Sequence, residues 1–274
     1  MKRAQKYKLI FAIIFLAIAS IGCKSGIEII EVEDNYYEET DFYAFQSIKY
    51  TDVTPFGHPN IDWLRENQLD FSFSMGITKP GEVIGFSGSR ILMDITIHIQ
   101  LFKVDQEYNI TDIKDEFIYT SQTPKDRINY SYELPLTENA LYLLIVEFIQ
   151  DEDIKNTLGA FIYVPIQELH AEMKTNKKRY LRNRNVEIEI RNNGPTILEF
   201  GRPYTIELLR EDKWKEITST FGFTLEGLQI KPGETYVQPL NTYHLRSGHY
   251  RVSKNFRAAG TDLEKTIFAE FTIK

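Results

Sequence analysis

Hydrophobic and polar residues alternate with period two along much of this chain. Val186, Ile188 and Ile190 are separated by Glu187, Glu189 and Arg191. Ile91, Met93, Ile95, Ile97, Ile99 and Leu101 alternate likewise, with Leu92 and Phe102 making the opposite face partly apolar. Period two predicts β-strands with one face toward a core, so a strand is expected over 91–101 and another over 186–191. Turn signals recur between such runs, at Lys79-Pro80-Gly81, Asn193-Gly194-Pro195, Lys231-Pro232-Gly233 and Ser247-Gly248. Helical spacing is confined to one short stretch, Ile61 to Gln68. Many short strands punctuated by turns predict an all-β sandwich architecture.

The pattern also repeats. Leu245-Arg246-Ser247-Gly248-His249-Tyr250 resembles the tyrosine corner of immunoglobulin-like sandwiches, in which a tyrosine hydroxyl bonds back to the corner backbone. Leu136 to Tyr142 resembles the same corner with one extra residue. Tyr142 and Tyr250 lie 108 positions apart, close to the roughly 100-residue size of such a domain. Tyr142–Phe148 aligns with Tyr250–Phe256, and each repeat continues through a polar loop into a closing strand, 160–165 and 267–273. From Phe200-Gly201-Arg202-Pro203-Tyr204 through Trp214 and Lys231-Pro232-Gly233-Glu234 to the corner, residues 168–274 resemble the bacterial immunoglobulin-like domain of secreted and lipid-anchored proteins of Gram-positive bacteria. That resemblance implies a β-sandwich and carries over no catalytic residue.

The first 22 residues read differently. Lys2, Arg3, Lys6 and Lys8 form a positive segment, and Leu9 to Ile21 is apolar except for Ser20. That matches a signal-peptide pattern and is shorter than the roughly 20 apolar residues of a transmembrane helix. Cys23, the single cysteine, follows Gly22. It resembles the lipid-attachment site of a bacterial lipoprotein, which implies cleavage before Cys23, a palmitate-type anchor and the extracytoplasmic face of the cell membrane. The residues alone leave a plain secretory signal, or an uncleaved anchor, as alternatives. With one cysteine, no disulfide forms within the chain. From Glu28 to Asp41 seven acids occur without a base, which predicts an extended tether with Tyr36, Tyr37 and Tyr43 as aromatic exceptions. The expected fold is therefore all-β: two tandem immunoglobulin-like β-sandwiches, 43–167 and 168–274, after a cleaved signal peptide, 1–22, and a flexible tether beginning at lipidated Cys23, 23–42.

Charge separates the two repeats. The net charge of −7 conceals 18 acids against 9 bases in residues 43–167, and 14 against 18 in residues 168–274. Lys174, Lys177, Lys178, Arg179, Arg182 and Arg184 concentrate the positive charge and form a candidate polyanion-binding segment. Outside the membrane, cell-wall phosphopolymers or lipid headgroups suit it better than nucleic acid. A solvated hairpin, or an intramolecular match to the acidic first domain, is the competing reading.

Signals for chemistry are sparse. Gly85-Phe86-Ser87-Gly88 lacks the spacing of a nucleophile elbow. No phosphate-cradling loop followed by lysine occurs. His244 and His249 are too far apart on a turn to share a zinc ion, and His98 is expected to be exposed or at a sheet edge. Asp151-Glu152-Asp153 lacks the alternation of a calcium loop. Trp63 and Trp214 are expected in packing rather than as sugar platforms. The expectation is a non-catalytic interaction module, without cofactor or metal, held at the membrane through Cys23 and meeting an unknown protein or cell-wall polymer. The alternative is a glycan- or wall-polymer-binding lipoprotein, and an enzyme ranks below both.

Overall fold

The same order of strands is laid down twice. The structure, a computed structural model, describes residues 48–123, 125–217, 222–224 and 226–274. The leader, Cys23 and the acidic tether lie outside the described residues. In the first repeat, β1 (Asp70–Phe73), β3 (Val83–Ile91) and β6 (Asp126–Glu133) form one antiparallel sheet. The facing sheet runs β2 (Gly76–Ile77), β8 (Asp153–Val164), β7 (Ala140–Gln150), β4 (Thr96–Val104) and β5 (Ile110–Thr120). In the second repeat, β9 (Ala171–Thr175), β11 (Val186–Asn192) and β16 (Thr235–Leu240) form the smaller sheet. Its partner holds β10 (Arg179–Tyr180), β18 (Glu264–Ile273), β17 (Gly248–Ala258), β13 (Thr205–Arg210) and β14 (Lys213–Glu216). In both repeats the short second strand runs parallel to the last, Gly76 beside Ile162 and Arg179 beside Thr272, while the remaining pairs are antiparallel. Two tandem immunoglobulin-like sandwiches result.

The second repeat adds β12 (Leu198–Gly201) and β15 (Gly227–Ile230). Strands β12 and β13 pair with successive parts of β17, Leu198 opposite Ala258 and Thr205 opposite Ser253. Between them the chain breaks away at Arg202 and Pro203, because proline has no amide proton to give the ladder.

Alternation yields one buried row per strand where only one face is covered. Val186, Ile188 and Ile190 are fully buried in the second core with Val252, Phe256 and Phe271. The alternating run from Ile91 to Leu101 is two strands rather than one. Arg90 and Asp94 adopt left-handed backbone, φ 61° and 62°, and the chain reverses between β3 and β4. Ile91 and Ile95 flank that turn and both reach the core, each 1% exposed, so the turn imitates a continuous alternation.

The five-stranded sheet of the first repeat is buried on both faces. Its inner face packs Ile97, Ile99, Tyr142, Leu144 and Val146 against Ile84, Phe86 and Ile128 of the smaller sheet. Its outer face packs Leu141, Leu143, Ile145 and Tyr163 against Tyr50 of α1 (Tyr50–Val53) and against Ile197 and Ala259 of the second sandwich. Seven successive residues of β7, Ala140–Val146, are therefore buried, and alternation vanishes there. Tyr50 lies flat because β8 carries Gly159 beneath it; a Cβ there would sit 2.9 Å from the tyrosine ring. The Tyr50 hydroxyl donates to the carbonyls of Gly57 and Thr157, at 3.0 and 3.1 Å. The helix α2 (Ile61–Glu66) is capped by Asn60, whose side chain accepts from the Trp63 amide at 3.1 Å.

The two sandwiches share one compact unit. Thr196 Oγ1 donates to the Ile166 carbonyl and Lys79 pairs with Asp262 across the junction, where Ile197 and Ala259, bonded to each other at 2.9 Å, enter the outer core of the first sandwich. Gly260 makes the close approach possible: it adopts φ +68°, and a Cβ there would stand 2.4 Å from Ile77 and 3.1 Å from Pro165. Gly260→Val combines that overlap with a conformation that β-branched residues avoid. It is expected to raise hydrogen exchange at the Ala259 and Thr78 amides by about tenfold or more, with the Val252 amide unchanged.

Candidate functional site

The basic run of the second repeat lies where the chain crosses between sheets. After β9 the backbone leaves the smaller sheet, the Asn176 amide donating to Glu187 at 3.0 Å, and joins the larger one, the Thr272 amide donating to Lys178 at 2.9 Å. Tyr180 pins this switch. Its ring packs edge-on against Phe271, its hydroxyl accepts from the Lys177 amide at 2.7 Å, and it donates to Asn176. Burial pushes the Tyr180 phenol above its usual range. With the backbone held, the side chains of Lys177, Lys178 and Arg179 point into solvent along the sheet edge.

Beyond Tyr180 the chain rounds one end of the sandwich. Arg182 and Arg184 are exposed in the loop before β11. That loop is tied to the corner before β17: Thr242 Oγ1 donates to the Arg184 carbonyl at 3.2 Å, and the Tyr243 hydroxyl to Asn185 at 3.1 Å. The corner is closed by Tyr250, whose hydroxyl donates to the Arg246 carbonyl at 2.8 Å.

Register brings Arg210 and Arg246 to the same end. Tyr180 lies beside Ile273 and Ile273 opposite Gly248, two residues before Tyr250. Tyr250 in turn pairs with Leu208, two residues before Arg210. Burial raises the Tyr250 phenol, while the charges of Arg210, Arg182 and Arg246 pull it back. Three guanidinium groups, from the loop before β11, the end of β13 and the corner before β17, thus act on one point. Sequence reading missed Arg210 and Arg246, which stand 26 and 62 positions beyond Arg184. The corner motif was the available signal, since it places Arg246 beside whatever the preceding loops present.

Among the described residues, three lysines and arginines of this domain sit in ion pairs. Lys174 faces Glu189 at 2.8 Å on the outer face of the smaller sheet, and that bond holds its ammonium above the ordinary range. Arg202 pairs with Glu226, and Arg251 with Glu207 through two nitrogens at 2.6 and 2.9 Å. Among the described residues, Lys177, Lys178 and Arg179 make no ion pair. Neither do Arg182, Arg184, Arg210 and Arg246. Exposed Leu181 and Tyr243 lie among them, 63% and 66% accessible. The acids at this end include Glu211 and Asp212, at the tip of the β13–β14 hairpin, with Glu187 and the His249-bonded Glu270 beside the sheet switch.

Other candidates resolve into packing. Arg251 lies over the rings of Trp214, at 4.6 Å, and Phe268, at 4.3 Å, while Trp63 packs on Phe148. His98 is half-buried on β4, one strand in from the edge, between Glu116 at 2.7 Å and Glu147 at 3.6 Å. It was expected to be exposed or at an edge, and the pairing of β5 outside β4 covers it. Asp151 and Glu152 form the tight turn between β7 and β8 with positive φ, and Asp153 pairs with Lys155 at 2.9 Å. Among the described residues no three His, Cys, Asp or Glu side chains converge to hold a metal. No helix among them is long and apolar enough to cross a membrane. A depression of about 620 Å³ lies over β12, β15 and β17, but its polar walls bond to one another, Gln229 to Glu199 and Asn255 to Glu264.

The first corner differs from the second. Tyr142 is buried in the core between the sheets, and among the described residues its hydroxyl makes no bond to the β6–β7 connection. The extra residue in that connection moves the bond to the other face, where the Tyr163 hydroxyl donates to Asn139 at 3.0 Å.

One buried cation repairs the break between β12 and β13. Lys254 is 3% exposed, and its ammonium meets the carbonyls of Gly201, Arg202 and Pro203 and the Gln238 amide oxygen at 2.7–3.2 Å. Burial, and then the Arg202 charge, lower its pKa to about 8.

Residues 167–272 match the family model of the bacterial Ig-like domain. No curated protein is similar to the chain at a significant level. Among solved structures, the chain is similar to the class 5 fimbrial chaperone CfaA, with 15% identity over 74% of this chain and 99% of that one and a TM-score of 0.36. It is also similar to red sea bream transglutaminase, with 11% identity over 76% of this chain and a TM-score of 0.30. A third likeness is to Escherichia coli alpha-2-macroglobulin, with 8% identity over 75% of this chain and a TM-score of 0.29. The chain spans 31% of the transglutaminase and 22% of the macroglobulin.

Two outcomes follow for stability. Tyr250→Phe is expected to cost about 1 kcal/mol in urea unfolding, and Tyr142→Phe to stay within about 0.5 kcal/mol of wild type. Because Lys254 titrates below the ordinary lysine value of 10.5, the unfolded chain binds more protons than the folded one between about pH 8 and 10.5. Stability contributed at this site therefore rises with pH across that window. Relative to Lys254→Met, the wild type is expected to gain about 3 kcal/mol between pH 7.5 and 10.5, measured by urea unfolding at both values.

Proposed function

We propose that this protein is a lipid-anchored, extracytoplasmic, non-catalytic binding module that presents the far end of its second sandwich to a partner. The observation that supports this most is the polarity of that sandwich. One end, at Ile197 and Ala259, is packed into the outer core of the first sandwich. The other end, at Tyr180, Gly248 and Arg210, carries cations without ionic partners. The eleven residues of β17 separate the two ends by about 35 Å at 3.2–3.4 Å per residue. A module joined at one end and unsatisfied at the other is suited to display.

The anchor in this reading is lipid on Cys23. Buried methylenes contribute about 0.8 kcal/mol each, and two or more acyl chains give lasting attachment where one does not. The match of residues 167–272 to the bacterial Ig-like domain accords with a scaffold whose loops do the binding.

Metabolic labelling with an alkyne palmitate analogue in a bacterial host tests the anchor. Label is expected on the wild type, recovered with membranes, and lost from Cys23→Ser together with its membrane association. Equal labelling and membrane association of Cys23→Ser would refute it.

A further inference from the structure

We infer that the basic end of the second sandwich binds a linear polyanion of the phosphodiester type. The inference rests on the reading of this protein as a binding module and supplies the chemistry of its partner.

The cations form a track rather than a plane. Lys177, Lys178 and Arg179 lie along the sheet edge, where the chain crosses from one sheet to the other. Arg182, Arg184, Arg246 and Arg210 continue it round the end of the sandwich, from β10 past β18 and β17 to β13. Three inter-strand steps separate β10 from β13, about 14 Å. A flat bilayer meets either an edge or an end. A flexible chain of charges turns the corner and meets both.

The residue types fit phosphate. Four of the cations on the end are arginines, whose planar fork offers paired donors to phosphate oxygens. Exposed groups such as these gain little from single ion pairs in water. They gain from a polymer, because each neutralised phosphate releases a condensed counterion. Leu181 and Tyr243 add apolar surface between the charges, a contact that the backbone of such a polymer can use. Lys174, Arg202 and Arg251, by contrast, are paired with Glu189, Glu226 and Glu207 and lie off the track. Glu211 and Asp212 sit at the hairpin tip beyond Arg210, bounding the track on that side.

The test uses the full chain in neutral detergent. The probes are poly(glycerol phosphate), a single-stranded DNA oligomer of equal charge, and phosphatidylglycerol vesicles. Binding to poly(glycerol phosphate) is expected, weakening with salt. The triple variant Arg182→Ala/Arg210→Ala/Arg246→Ala is expected to bind at least tenfold more weakly, with a log–log salt slope shallower by about two. Lys174→Ala is expected to bind as wild type does. All four positions are exposed, so unchanged thermal melting separates lost binding from lost folding. The DNA arm tells which phosphodiester source is preferred. Binding by the triple variant equal to wild type, or binding to vesicles in the absence of binding to either polymer, overturns the inference. Failure of polymer binding with labelling at Cys23 intact would leave the anchored module standing, and the reverse result would leave this inference standing.

Discussion

Burial of β7 on both faces is the interaction on which the rest of the structure depends. An ordinary strand of a sandwich covers one row of side chains, and its other row meets water. Here Tyr142, Leu144 and Val146 face the first core, while Leu141, Leu143 and Ile145 face a second apolar layer. Each such side chain contributes roughly 1.5–3 kcal/mol when fully buried. The outer row has to be covered, and two chain segments from opposite directions cover it. Tyr50 and its neighbours come from the N-terminal side, and Ile197 and Ala259 from the second sandwich. The tandem is thus joined by the need to dry one sheet face rather than by a linker alone.

This constraint gives the second sandwich its direction. The turn after β11 and the hairpin between β17 and β18 are used at the junction, so the opposite end is the one left to solvent. There the tyrosine corner, the crossing between sheets and the β13–β14 hairpin converge. Each is held by backbone bonds or by buried rings, which frees the charged side chains for other work. Lys254 shows the contrary use of a cation. Held within 3.2 Å of three carbonyls and one amide oxygen, it stitches a broken strand and takes no part in the exposed surface.

Much of the architecture was legible along the chain. The Val186–Arg191 alternation, the turn dipeptides and the repeat spacing from Tyr142 to Tyr250 led to two sandwiches of one topology, because local backbone chemistry is written in local residues. Three details were not legible, each for a spatial reason. The run from Ile91 to Leu101 hid a reversal, since both residues flanking the turn point inward. Tyr142 shared a sequence pattern with Tyr250 but not its bond, because one extra residue shifts the partner to Tyr163. Lys174 belonged to the basic run by spacing and left it by pairing with Glu189 across the sheet.

The sequence by itself determined the fold class, the two repeats and the residue that resembles a lipid-attachment site, since periodicity, turn chemistry and short motifs act over a few residues. Only the tertiary structure decided which cations remain free and where they meet. Arg182, Arg210 and Arg246 are brought together by strand register, and register depends on which faces must be buried. Charge along a chain can be counted, but a charged surface exists only after the sheets have closed and the ion pairs between strands have formed.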